Sequence, residues 1–312
     1  MKTTPNRLPV LLVALGGNAL VRKGQVGTIA EQFATLRGPM EQIARLAETH
    51  RIIITHGNGP QVGNLLLQQE CCPETPRLPL EILVAQTQGQ IGYMIESTLD
   101  AALSERGVHK LLVSLISYVV VDGQDPAMRT PDKPVGPVLT EEQARVASYA
   151  VRMTPKGWRR VVASPRPVTV VERREIAALV EAGFIVICCG GGGIPVTRHD
   201  RRFDGVDAVI DKDLASSRLA IEVGVDQFCI ATDVPGAYLD YGSPRQRLLR
   251  RIGTAQAREF LAAGHFPPGS MGPKVEACLE FLTNGGKKAC IAGIDDICDA
   301  VEGKTGTWFD AD

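Results

Sequence analysis

The sequence predicts an α/β fold, a three-layer αβα sandwich in which helices cover both faces of a mostly parallel sheet. Three observations carry this. Short apolar, β-branched runs recur along the chain, as strands buried on both faces require. Helix-period segments separate them. Glycine-rich turns follow several of the runs, which puts flexible backbone where ligands meet an open α/β sheet.

The elements follow in order. The run 10–15 is free of charge and passes straight into Gly16-Gly17-Asn18. Lys2 and Arg7 ahead of it give a superficial likeness to a signal-peptide core, but Pro9 and the immediate glycine loop favour a buried strand. Met40, Ile43, Ala44 and Ala47 mark one face of a helix before the second run, 51–55. The third run spans 111–121. Residues from about 122 to 168 break the rhythm, with prolines at 126, 131, 134, 137, 155, 165 and 167 and little strand-like sequence before Val161. This stretch reads as an inserted flap or small subdomain, or as a long surface connection. Within it, Thr140-Glu141-Glu142-Gln143 is a capping box that opens a helix toward Val151. The runs 184–188, 227–231 and 289–292 complete the strands, and Val275, Cys278, Leu279 and Leu282 form a helical face before the last. No internal repeat occurs.

Composition narrows the function. Lys+Arg 34 against Asp+Glu 35 leaves a net charge of −1 in 312 residues, without the basic excess of a broad nucleic-acid surface. Hydrophobic residues at 44% and charged residues at 22% exclude disordered and fibrous classes. The eight cysteines include the adjacent pairs Cys71-Cys72 and Cys188-Cys189 but no CxxC, so a zinc ribbon or thioredoxin site lacks its signature. Dispersed thiols without a disulfide framework fit a reducing cytoplasm. No run approaches the ~18–20 apolar residues of a membrane span. Glycine is in excess: 32 residues, against about 22 at the average usage of roughly 7%.

Four glycine-rich loops hold much of that excess. They are Gly16-Gly17-Asn18, His56-Gly57-Asn58-Gly59-Pro60, Gly190-Gly191-Gly192-Gly193 and Gly269-Ser270-Met271-Gly272-Pro273-Lys274, each read as following a strand. Glycine lets backbone N–H groups approach an anion closely, and Pro60 and Pro273 place helix N-termini, which favour phosphate, beside two of the loops. There is no GxxxxGK[ST], which excludes a P-loop, and no GxGxxG, which counts against a dehydrogenase. Phosphoryl transfer needs fixed cations. Lys212, between Asp211 and Asp213, is the stronger candidate, since its flanking carboxylates could orient it; Lys274 closes the fourth loop, and Lys133 lies in the proline-rich stretch. His56 reads as a support for its loop, and Trp158 and Trp308 as packing residues. No metal-ligand spacing is present among the histidines.

These motifs together resemble the carbamate kinases of the amino acid kinase superfamily. The likeness covers essentially the whole chain in order. It includes Leu15-Gly16-Gly17-Asn18-Ala19, His56-Gly57-Asn58-Gly59-Pro60-Gln61-Val62-Gly63-Asn64, Thr87-Gln88-Gly89-Gln90-Ile91-Gly92-Tyr93, Lys133-Pro134-Val135-Gly136-Pro137, Val209-Ile210-Asp211-Lys212-Asp213 and Gly264-His265-Phe266-Pro267-Pro268-Gly269-Ser270-Met271. The resemblance implies a single domain spanning 1–312 around an eight-stranded sheet, with the subdomain at about 122–168 protruding, and a cytoplasmic homodimer. It implies reversible transfer between ATP and carbamate to give ADP and carbamoyl phosphate, used to make ATP, in arginine metabolism. By motif position, Gly16, Gly17, Asn18, Gly57, Asn58 and Gly59 in the N-terminal part would hold carbamate and the phosphoryl group. Lys212 and Lys274 would contact phosphates, Asp213 would orient the lysines, and Lys133 would reach the small substrate when the subdomain closes. Thr232, Asp233, Val234, Tyr238, Gly269, Ser270 and Met271, in the part from about 184 to 312, would sit by the nucleotide. Mg²⁺ would ride on the nucleotide phosphates, with no protein metal ligand assigned. Pro235 departs from the family, which commonly carries an acidic residue there, and residues 71–79 are idiosyncratic. Other readings are a kinase of another small carboxylate on the same fold and a non-catalytic nucleotide-binding regulator.

Overall fold

The structure, a computed structural model, describes residues 7–72, 74–154 and 157–311, so Lys2 and Pro155 lie outside the described residues. Its helices are α1 (Ile29–Leu46), α2 (Gly59–Cys71), α3 (Leu80–Glu105), α4 (Glu141–Val146), α5 (Arg173–Glu181), α6 (Lys212–Val223), α7 (Thr254–Ala262), α8 (Met271–Thr283) and α9 (Ile297–Val301).

Strand Val10–Leu15 shows how the layers arise. Its residues alternate between two cores. Val10, Leu12 and Ala14 pack with Ile176 of α5, Leu219 of α6, Ala257 of α7 and Val275 of α8. Leu11, Val13 and Leu15 pack with Leu36 and Ile43 of α1, Ile91 and Leu99 of α3 and Ile297 of α9. A strand with a core on each face must be apolar at every position, which is why its sequence does not alternate. The eight-stranded sheet has the order Arg251–Gly253, Thr307–Asp310, Lys288–Gly293, Gln227–Thr232, Val10–Leu15, Arg51–His56, Ile185–Ile187, Leu112–Ser114. Its neighbours are parallel except that Thr307–Asp310 runs against Lys288–Gly293. The central register sets Leu12 beside Phe228 on one side and Ile53 on the other. The C-terminal ends of these three strands therefore deliver Gly16, Gly57 and Asp233 to one sheet edge.

The structure revises four expectations. The run 111–121 is two strands: Leu112–Ser114 closes the eight-stranded sheet, and Tyr118–Val121 joins a second sheet with Pro167–Val170, Ile194–His199 and Arg202–Gly205. The break is held by the buried Gln88 of α3. Its Oε1 accepts the Ser117 N–H at 2.8 Å, and its Nε2 donates to Ser117 O at 3.2 Å and Gly190 O at 3.1 Å. Second, the proline-rich stretch contains strands before Val161. Lys133–Leu139 and Val151–Thr154 flank Gly157–Val162 in an antiparallel sheet. Pro134 and Pro137 sit on its outer strand, where a missing N–H is tolerated, and the register shifts between Val135 and Val138. Third, the capping box at Thr140 forms as read, but α4 ends at Val146. Fourth, the Gly269–Lys274 loop follows α7 rather than a strand.

The small antiparallel sheet rests on α2. A Cβ on Gly63 would lie 2.7 Å from the Gly136 Cα, so only glycine permits this approach of helix to strand.

Candidate active site

Two of the glycine loops are stitched side by side at the sheet edge. The Gly16 N–H donates to Ala231 O at 2.9 Å and the Gly57 N–H to Leu15 O at 3.0 Å. A Cβ on Gly57 would stand 3.4 Å from Gly17 N, so the loops are in backbone contact. A cavity of about 320 Å³ opens beside them. Gly16, Gly17 and Asn18 form one wall, and Thr232, Asp233, Val234 and Tyr238 a second. Gly269, Ser270 and Met271, the start of α8, form a third, with Lys274 one turn into the helix. The dipole of that helix end favours an anion, although the Ser270 and Gly272 N–H groups donate to Pro267 O and Pro273 has none. Tyr241 and Pro267 also line the cavity and were not anticipated. Tyr241 stands 60% exposed with its ring 5.6 Å from that of Tyr238, so a tilted aromatic pair borders the mouth. Its turn position carries no pattern that a sequence would reveal.

Behind the cavity the charges alternate. Asp211 is the N-cap of α6, its Oδ1 accepting from the Asp213 N–H at 2.9 Å. Its other oxygen accepts from Lys133 Nζ at 2.6 Å, which brings the small sheet's lysine to the start of α6. Lys212 Nζ donates to Ala14 O at 3.1 Å and lies 2.7 Å from Asp213 Oδ1. Lys274 Nζ donates to Asp213 Oδ2 at 2.9 Å. Asp213 is 3% exposed. Burial alone would raise its pKa, but the two ammonium groups hold the carboxyl well below the usual carboxylate range. Burial and the neighbouring Lys274 charge lower the Lys212 pKa against the pull of Asp213. Lys274 is opposed by burial too, yet Asp213, Asp211 and Asp233 outweigh it and its pKa rises. The two lysines diverge although they share one carboxylate: burial and the Lys274 charge prevail at Lys212, whereas the carboxylates of Asp213, Asp211 and Asp233 prevail over burial at Lys274.

The remaining predicted residues divide. Gly59 opens α2 with Pro60 in its first turn, exposed near the site. Asn58 turns inward: it is buried and its Nδ2 donates to Thr87 Oγ1 at 2.9 Å. The tetraglycine loop is a packing node. A Cβ on Gly190 would overlap His56, one on Gly191 would overlap Asn58, and one on Gly192 would overlap Ile210 O. His56 does support its loop, with Nδ1 on Gly57 O at 3.1 Å. Burial, with Lys212 nearby, pushes its pKa down to about 4.

Known proteins resemble this chain along most of its length. The sequence profile of the amino acid kinase family matches residues 9–293. The carbamate kinase of Pyrococcus furiosus is 46% identical over 306 residues, covering 95% of this chain and 98% of the relative. That of Thermococcus kodakarensis is 45% identical over 307 residues, with the same coverage. The structure of the Giardia lamblia carbamate kinase bound to AMP-PNP superposes with a TM-score of 0.90 at 36% identity, covering 97% of this chain and 99% of that one. With identity at this level across nearly the full length of each relative, the chain belongs to the amino acid kinase family, among the carbamate kinases.

Proposed function

We propose that this chain transfers a phosphoryl group reversibly between ATP and carbamate, and that it works toward ATP from carbamoyl phosphate and ADP. The observation that carries the reading is the pairing of Lys212 and Lys274 on one buried carboxylate beside the cavity. Phosphoryl transfer is largely a matter of positioning and of neutralising charge on the moving group. In this reading the nucleotide lies along Thr232, Asp233, Val234, Tyr238 and the start of α8, in the C-terminal part of a single domain. The N-terminal loops at Gly16-Gly17-Asn18 and Gly57-Asn58-Gly59 present backbone to carbamate and the phosphoryl group, Lys212 and Lys274 meet phosphate oxygens, and Lys133 meets the small substrate. A carbamate oxygen is already anionic, so attack needs no general base.

Among the described residues no cluster of three or more metal-ligating side chains occurs, and the carboxylates of Asp211 and Asp213 are taken by lysines. In this reading Mg²⁺ is held chiefly by nucleotide phosphates, with Asp233 at the cavity wall able to add an oxygen. When bound, the ion supplies further neutralisation of phosphate charge. The reading also includes a cytoplasmic homodimer. Leu111 and Ile116, 62% and 54% exposed on either side of the edge strand Leu112–Ser114, offer apolar surface to a second copy. No helix of the described residues is long and apolar enough to cross a membrane.

The test is ATP formation from ADP and carbamoyl phosphate by the purified protein. Failure there, together with phosphorylation of another small carboxylate, would replace carbamate as the substrate.

A further inference from the structure

The segment that carries Lys133 leaves and rejoins the body at one neck. Tyr118–Val121 and Pro167–Val170 pair antiparallel there, with a register shift between Val120 and Val121. Asp125 closes the neck from both ends. Its Oδ1 accepts the Ala127 N–H at 2.8 Å, on the outgoing chain, and its Oδ2 accepts the Arg166 N–H at 2.9 Å, on the returning one. Arg166 is flanked by Pro165 and Pro167, so its backbone has little freedom. Its guanidinium then reaches out of the neck to α8, with Nη1 donating to Glu276 Oε1 at 2.6 Å and Nη2 to Glu280 Oε1. Those glutamates are one turn apart on the same helix. Glu276 lies two positions beyond Lys274, which is paired with Asp213.

We infer that Arg166 is a positioning residue, a strut between the neck and α8 that sets where the Lys133 segment stands relative to Lys274. A lone exposed ion pair contributes little. Here one planar donor group meets two carboxylates on a rigid helix from a backbone fixed by two prolines, so the geometry is defined at both ends. The inference rests on the reading that Lys133 meets the small substrate. Loosening the strut then weakens use of that substrate and leaves the nucleotide wall untouched.

The experiment measures KM for carbamoyl phosphate and for ADP, kcat and Tm in Arg166→Ala, Arg166→Lys, Lys133→Ala and, as a control, Arg106→Ala. Arg106 makes a comparably exposed pair with Glu48, 2.6 Å long, away from the neck and the cavity. Arg166→Ala should raise KM for carbamoyl phosphate about five-fold, with KM for ADP and Tm matching the Arg106→Ala control. Arg166→Lys, able to reach one glutamate at a time, should recover part of the loss. A carbamoyl phosphate KM unchanged in Arg166→Ala, or a rise shared equally by both substrates, overturns the inference. If Lys133→Ala raises the carbamoyl phosphate KM and Arg166→Ala does not, only the strut fails; if neither does, the reading of Lys133 fails as well. Should Arg166→Ala not fold, Glu276→Gln/Glu280→Gln leaves the arginine in place and tests the same link by the same KM split.

Discussion

Asp213 holds Lys212 and Lys274 at once, with Oδ1 2.7 Å from one ammonium and Oδ2 2.9 Å from the other. The lysines come from the starts of two different helices, α6 and α8. A buried carboxylate between them offsets most of their mutual repulsion and leaves one net positive charge for an anionic ligand. Neither lysine could stay charged so close to the other in a site this buried without it.

Lys212→Ala and Lys274→Ala should each lower turnover roughly 10²-fold or more, because charge stabilisation at the moving phosphoryl group is lost. Asp213→Asn keeps both lysine side chains but removes the carboxylate that favours their charged forms, and should cost at least about ten-fold by the same logic. Steady-state kcat with saturating substrates is the measurement, and near-parental turnover in both lysine variants would remove them from the reaction.

The rate should also fall on the alkaline side. Lys212 titrates below the ordinary lysine value of 10.5, for the reasons of burial and the Lys274 charge. Its cation is lost as pH rises through that lowered value. Asp213→Asn removes the carboxylate that supports the charge, so the alkaline limb of kcat should move to lower pH. A limb that stays in place would show that another group sets it.

Tyr241→Ala should raise KM for ADP about five-fold, through loss of an aromatic contact at the cavity mouth, and leave KM for carbamoyl phosphate as it was. Parallel increases in both constants would mean that the tyrosine pair supports the site generally and does not border the nucleotide.

His56 gives a stability prediction in acid. Its pKa falls from 6.5 to about 4 on folding, so the unfolded chain binds the proton first as pH drops. Its contribution is fully present above about pH 6.5 and is lost as pH falls from there toward 4, amounting to at most about 3 kcal/mol. The slope of Tm against pH in that window should flatten in His56→Gln. An unchanged slope would assign acid sensitivity to other groups.

Much of this was legible in the sequence because the controlling interactions are local. A short apolar run with no alternation that ends in a glycine loop suits a strand buried on both faces, and Val10–Leu15 is one. The face marked by Met40, Ile43, Ala44 and Ala47 is fully buried in and just beyond α1. The box at Thr140 caps α4 with both of its reciprocal bonds. The misreadings have long-range causes. Gln88, about thirty residues away, splits the run 111–121 by bonding Ser117 on both sides. The strands at Lys133–Leu139 and Val151–Thr154 form because Gly157–Val162 pairs with each of them, and no periodicity announces a pairing partner.

By itself the sequence determined the three-layer class, the family and the glycine loops, since each depends on residue types at short and regular spacings. Only the tertiary structure decided what the loops do. It turned the tetraglycine run inward as a packing node for His56, Asn58 and Ile210 and left Gly16-Gly17 at the cavity. It also joined Lys133, Asp211, Lys212, Asp213 and Lys274 into one alternating row of charge. Electrostatic partnership depends on distance in space, and those five residues, spread over nearly half the sequence between the first and the last, become neighbours only when the sheet edge brings two helix starts and a strand of the small sheet together.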